Sequence, residues 1–531
     1  MRKSAARSPL RRGRVGLGLV VSMLVGIACW MIGASASAAP THHATAASSC
    51  PAKQGGTFTI ATANPFPPLD FTQISIDTVG WDNAEGLVFD RLVQPTPNLS
   101  GVEYELATGV THNANFTTWT IKVRSGVKFT NGAPLTAKDV AFSLKYQQAG
   151  PSAYVLGPVK SVVASGPLTV TVTMKSPFAD FEKLGLESLL SYILPANLAG
   201  EPKAKFFQHP IGTGPYEVAS FDPQSNLTLV RNPHYWQTGK PYIDKMIFDV
   251  ITDPNTRLLG LESGEYQAAD NIPPDQAKSV TNGNVVSKIV PSGNVDEIYS
   301  SSRGNPALHS LDIRQAMSYA LDRQGVATAA YAGLATPSVT FIPTVLPDVV
   351  PASPPPSFNL AKAKALVTAS GVKFAKPLVL IYPTGSASLN LEAAVIQSDY
   401  AKVGIPVKLS ALGFDQYVNV LGSGKFDFTV SQYVEIAPTA GNNMGTYTAF
   451  SAYFGFWPIA TVAKMVSAFE ATDVPSVERT ITKEYNTYIT QQAAQIPVVN
   501  EPAIDAFSPK LAGLVIDKFD YWHIAQAWLC S

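Results

Sequence analysis

Between residues 377 and 409 the chain passes from an apolar run, Pro377 to Tyr382, through a helical stretch, Leu389 to Val403, stopped by Gly404, into a second apolar run, Ile405 to Leu409. This is a strand–helix–strand unit. A crossover of that kind joins parallel strands, and parallel strands are normally covered on both faces, so the unit predicts an α/β body with helices packed over a sheet. A short helix from Phe414 to Leu421 and a strand from Phe426 to Val430 extend the same sheet. Ligands of such sheets bind at the carboxyl ends of the strands, which makes the loop from Ser431 onward a candidate pocket. The 531 residues are 46% hydrophobic and 15% charged, enough apolar material for a large core and too much for a disordered protein.

Elsewhere the pattern changes. Thr57 to Ala61 alternates as a strand, and so does Trp119 to Arg124, with Asn131-Gly132 following as a turn signal. Thr136 and Asp139 stand three apart ahead of Val140, Phe142 and Leu144, the spacing of a capping box, so a helix starts at Thr136. Ile313, Ala316, Met317, Ala320 and Leu321 form a helical stripe facing a core.

Six basic side chains (Arg2, Lys3, Arg7, Arg11, Arg12, Arg14) precede the apolar run Val15 to Ile32 and the small-residue run Gly33 to Ala39. Residues 1–38 read as a secretory signal peptide, so the protein is expected outside the cytoplasmic membrane, in the periplasm or on the outer cell surface. A retained anchor is the alternative. Lipid attachment would use Cys29, but Gly26-Ile27-Ala28 lacks the usual Leu three positions before it; Arg11-Arg12 is poorly flanked for twin-arginine export. Residues 39–53 form a flexible leader, in which His42 and His43 are tail residues. Once the signal peptide is gone, Cys50 and Cys530 remain in a compartment that permits disulfides, so a Cys50–Cys530 bond is expected, with two unpaired thiols as the alternative. Lys plus Arg equals Asp plus Glu at 39 each, so the chain lacks the basic excess that nucleic-acid binding requires.

Several segments together resemble the periplasmic and lipid-anchored solute-binding proteins that serve ABC importers of peptides, nickel and oligosaccharides, family 5, the dipeptide and oligopeptide-binding type. They are Trp119 to Leu144, Ile211 to Tyr216, Arg231 to Trp236, Asp253 to Gly264, Ile313 to Arg323 and Phe358 to Leu366. Most of these read as structural. Gly212 and Gly214 lack the third glycine of a dinucleotide fingerprint, because Glu217 occupies its place. Asn232, Pro233, Tyr235 and Trp236 read as a packed turn, and Arg257 and Glu262 as solvated charges on a surface helix.

The resemblance implies a two-lobed periplasmic-binding-protein-like α/β fold, class II, cluster C, with an extra subdomain in the first lobe. The first lobe would comprise 54–90, 206–297 and 505–531, with 91–205 inserted, and the second lobe 298–504. Both chain ends then fall in the first lobe, where Cys50 and Cys530 can meet. Peptide-binding members carry a Trp-x-x-Asp pattern after the strand that corresponds to Phe426–Val430, and its carboxylate takes the ligand's amino terminus. Here Tyr433 replaces the Trp and Ile436 the Asp. An apolar residue cannot neutralise an ammonium in a dry cleft, so either Glu435 takes the role through a shifted loop or the ligand lacks a free amino terminus, the reading preferred here. Glu435 as a solvated loop charge is the bland alternative. Asn442 and Asn443, followed by the aromatic stretch that begins at Tyr447, could supply amide hydrogen bonds and stacking surface.

The resemblance implies the function of a solute receptor, a monomer that captures a peptide or peptide-like small solute between its lobes and delivers it to ABC permease transmembrane subunits. An oligosaccharide or a metal chelate is the alternative cargo. A secreted hydrolase is the rival class, against which the chain shows no His-Glu-x-x-His, Gly-x-Ser-x-Gly or P-loop motif. No catalysis and no cofactor are expected. His209, His234, His309 and His523 are scattered without ligand spacing, so no metal site is expected either.

Overall fold

The computed structural model describes residues 50–530 except 67, 73–78, 278–279, 281–284, 456 and 458–459. Residues 1–49, which hold the expected signal peptide 1–38 with Cys29 and most of the expected leader, lie outside the described residues. Among the described residues no helix is long and apolar enough to cross a membrane.

One mixed sheet forms the spine. Its strands run in the order Val407–Leu412, Leu378–Pro383, Phe428–Tyr433, Val286–Ser300, Gln495–Phe507, Ala268–Ala269, Thr57–Thr62, Lys245–Val250, Asn226–Arg231 and Tyr216–Asp222. The first three are parallel, with Leu378 opposite Val407 and Leu380 opposite Phe428, and the helix Ala387–Ala401 crosses between the first pair. The strand–helix–strand unit is therefore present as the pattern required. Two long antiparallel strands, Val286–Ser300 and Gln495–Phe507, stand in the middle of the sheet and tie its two halves together. Their ladder breaks between Pro291 and Val295.

A separate four-stranded antiparallel sheet, in the order Ala107–His112, Thr118–Val123, Thr169–Met174 and Val159–Gly166, has its own core. Trp119, Ile121 and Val123 point into that core while Lys122 is exposed, the period of two that the sequence shows. The helix Ala137–Gln148 covers it. Thr136 caps this helix as expected: its hydroxyl accepts from the Lys138 N–H, and the Asp139 carboxylate accepts from the Thr136 N–H at 2.8 Å. The helix Leu311–Ala320 buries Ile313, Ala316, Met317 and Ala320.

The glycines of Ile211–Tyr216 are required by packing. A Cβ at position 212 would lie 1.9 Å from the Val88 carbonyl oxygen, and one at 214 would lie 2.5 Å from its carbonyl carbon, so this turn is pressed against backbone and leaves no room for a phosphate. Asn232 holds the neighbouring turn, donating to the Gly214 carbonyl at 2.8 Å and accepting from the His234 N–H at 2.8 Å.

Arg257 differs from the expectation. It lies on the helix Pro254–Ser263 but is buried, and its guanidinium donates to the carbonyls of Ile251, Thr252 and Asn271 at 2.7, 3.2 and 2.9 Å. The expected solvated charge is instead a fork that satisfies three loop carbonyls. Cys50 and Cys530 form a disulfide with Cα atoms 5.8 Å apart, beside the Trp528 indole, whose N–H donates to the Cys50 carbonyl at 3.1 Å.

Candidate functional site

The strand Phe428–Tyr433 runs three residues farther than the sequence suggests, because Ser431, Gln432 and Tyr433 pair with Glu297, Asp296 and Val295 of the first long central strand. The loop therefore starts at Val434, not at Ser431. It ends at Thr439, whose hydroxyl accepts from the Gly441 N–H and caps the helix Ala440–Phe454. Asn442 and Asn443 thus occupy the first turn of that helix, directly across from the loop.

Glu435 is fully buried and not the solvated loop charge of the bland reading. One carboxyl oxygen, Oε1, accepts from the N–H groups of Ile436 and Ala437 at 3.1 and 3.2 Å and from Asn442 Nδ2 at 2.6 Å. Burial nevertheless pushes its pKa up to about 8, against the pull of those hydrogen bonds. Asn442 Nδ2 also reaches the Tyr433 hydroxyl at 2.7 Å. Tyr433, Glu435 and Asn442 are therefore one hydrogen-bonded group, and the Asn443 amide lies beside the same carboxyl.

The arrangement is polar and under-satisfied. Glu435 Oε2 and Asn442 Oδ1 are buried without a hydrogen-bond partner among the described residues, while the Asn443 amide lies within reach of the Glu435 carboxyl and the Thr446 hydroxyl within reach of Tyr154 and Tyr433. A buried polar group left unmade costs about 1–3 kcal/mol, which is why these two atoms mark the place where a further hydrogen-bonding partner would fit. Tyr447 joins the group only indirectly: the Phe341 ring lies 6.0 Å from that of Tyr447 and 6.3 Å from that of Tyr433, while the Tyr447 hydroxyl donates to the Trp457 carbonyl at 3.2 Å. Tyr447 is part of an apolar cluster with Met444, Val466 and Tyr485.

Sequence reasoning missed what faces this loop. Asp180, buried in the 91–205 segment, accepts the Thr439 hydroxyl at 2.8 and 2.9 Å to its two oxygens. Nearby the Leu189 N–H donates to the Ile436 carbonyl at 2.9 Å, the Ala179 N–H donates to the Glu470 carbonyl at 2.5 Å, and Lys183 pairs with Glu478 at 3.4 Å. Ile436 packs against apolar residues of both sides of this seam. Tyr154 lies close to Thr446 and Glu435, and burial pushes its hydroxyl up to about 12. No local signal could have found these partners, since Asp180 and Thr439 are 259 residues apart.

Residues 101–454 match the family described as bacterial extracellular solute-binding proteins, family 5 Middle. The glutathione-binding protein GsiB of Salmonella typhi is 26% identical over 433 residues, covering 78% of this chain and 84% of its own length. Among solved structures, the oligopeptide-binding protein AppA from Bacillus subtilis in complex with a nonapeptide superposes with a TM-score of 0.80 at 19% identity, over 91% of this chain and 100% of that one. AgaA in complex with agropinic acid, from A. tumefacien R10, gives 0.78 at 20% identity, over 90% of this chain and 99% of that one. At these identities the solved structures are similar in fold.

Proposed function

The chain belongs to the bacterial extracellular solute-binding proteins of family 5, and from this premise we propose that it captures a peptide or peptide-like solute between two lobes and hands it, chemically unchanged, to the membrane subunits of an ABC importer. The lobes are taken as 54–90, 206–297 and 505–531 with 91–205 inserted, against 298–504. The protein acts as a monomer outside the cytoplasmic membrane. A solute touching both lobes stabilises only the shut form, so capture works by population shift.

The buried polar set of Glu435, Asn442 and Asn443, in which Glu435 Oε2 and Asn442 Oδ1 have no hydrogen-bond partner among the described residues, is the observation that carries this reading. A carboxyl held at about 8 is mostly protonated at neutral pH and can donate a hydrogen bond, while the asparagine amides both donate and accept. That chemistry matches the N–H and C=O of a peptide group better than an ammonium. With Ile436 in place of the usual Asp, the solute needs no free amino terminus at this point.

A thermal-shift and calorimetric screen of tripeptides with free and acetylated amino ends, alongside oligosaccharides, tests it. Acetylated peptides are expected to stabilise the protein at least as well as free ones. Stabilisation by free-amine peptides alone would contradict the proposed chemistry, and stabilisation by oligosaccharides alone would replace the cargo.

A further inference from the structure

The break in the ladder between the two long central strands lies against the site. Pro291 pairs with Pro502 and Val295 with Asn500, so Ser292, Gly293 and Asn294 stand opposite the single residue Glu501. This is a β-bulge, a device that bends a strand and re-aims its side chains. Ser292 anchors it by donating to the Glu501 carbonyl at 2.5 Å, and the Gly293 N–H donates to the Lys518 carbonyl at 2.8 Å.

Two residues of the bulge bear on Glu435. A Cβ at position 293 would lie 2.7 Å from Glu435 Cβ and 3.2 Å from its Cγ, so the glutamate can sit where it does only because residue 293 has no side chain. The Asn294 carboxamide oxygen accepts from the Glu435 N–H at 3.4 Å. One residue of the bulge shapes the glutamate's side-chain seat, and the next steadies its backbone. Both belong to a strand that links the two halves of the spine, so a change in the path of that strand at the bulge is carried to Glu435.

We propose that Gly293 and Asn294 are positioning residues for the solute site: the bulge holds Glu435 and the 434–437 loop in register with Asn442, and the site is assembled only while the central strands keep this path. The idea rests on the reading of this buried polar group as the solute site.

The test uses Gly293→Ala, Asn294→Ala and the pair Glu435→Gly with and without Gly293→Ala, all in the full protein. Amide hydrogen exchange over 434–437 is measured first. Asn294→Ala is expected to speed it by about tenfold, the scale of one lost hydrogen bond that restrains local opening, and Gly293→Ala by at least as much, through the clash of its methyl with Glu435. Affinity for a mixture of acetylated and free tripeptides should fall in Gly293→Ala. In the Glu435→Gly background the added methyl at 293 has nothing to strike and should change neither the exchange nor the unfolding midpoint. Exchange that stays at the wild-type rate in Gly293→Ala, or an equal loss of midpoint in both backgrounds, would overturn the proposal. A wild-type protein that binds none of the tripeptides counts against the functional reading instead, while exchange and midpoint still decide the role of the bulge.

Discussion

The hydroxyl of Thr439 is shared between the two carboxylate oxygens of Asp180, at 2.8 and 2.9 Å. The carboxylate thereby sits at the N-terminus of the helix Ala440–Phe454, where the exposed N–H groups and the helix dipole favour negative charge. Gly441 admits it, since a Cβ there would lie 2.1 Å from Asp180 Oδ2. This contact joins the 91–205 segment to the helix Ala440–Phe454. Asp180→Ala and Thr439→Val should each cost about 1–3 kcal/mol, and the double variant no more than the worse single one. Calorimetric unfolding of the three variants checks this; fully additive losses would show that the two side chains act independently.

Burial raises the carboxyls of Asp180 and Glu435 to about 6 and about 8. In an unfolded chain such groups titrate near 4. Between those values the folded protein holds more protons than the unfolded one, so this contribution to stability is complete below about pH 4 and is lost as pH rises toward 8. The unfolding midpoint should fall from pH 5 to pH 9, and Glu435→Gln should flatten the fall. A midpoint that climbs over that range contradicts the assignment.

If Glu435 works as a neutral hydrogen-bonding group, Glu435→Gln should keep solute affinity within about threefold at pH 7, because the amide still accepts from the N–H groups of Ile436 and Ala437 and can donate in place of the carboxyl. Titration calorimetry checks it. A loss of a hundredfold or more would mean that the charge itself binds the solute.

The Cys50–Cys530 bond spans 480 positions and ties the two ends of the described chain together. Its removal by paired Cys→Ser substitution should lower stability by about 2–4 kcal/mol. Mass spectrometry after alkylation without reductant should find no modified cysteine at either position; two alkylated thiols would refute the bond.

Local features of the fold were legible in the sequence because they depend on neighbours a few residues apart: the capping box at Thr136 and Asp139, the alternation at Trp119–Val123, the stripe at Ile313–Ala320 and the crossover at 378–412. The site was legible only as a set of candidate residues. That Asn442 would reach both Tyr433 and Glu435 follows from the strand's three extra residues and from the Thr439 cap, which together bring the first helical turn over the loop. Asp180, Gly293 and Asn294 had no signature, because each meets the loop through long-range packing. Arg257 was misjudged for a similar reason: the carbonyls that hold it come from loops on both sides of its helix.

Small-angle X-ray scattering of the protein, with and without a solute shown by calorimetry to saturate it, tests the hinged clamp most directly. The radius of gyration should decrease on saturation as the open forms are drawn into the shut one. A radius that stays constant while the solute is demonstrably bound would contradict capture by closure.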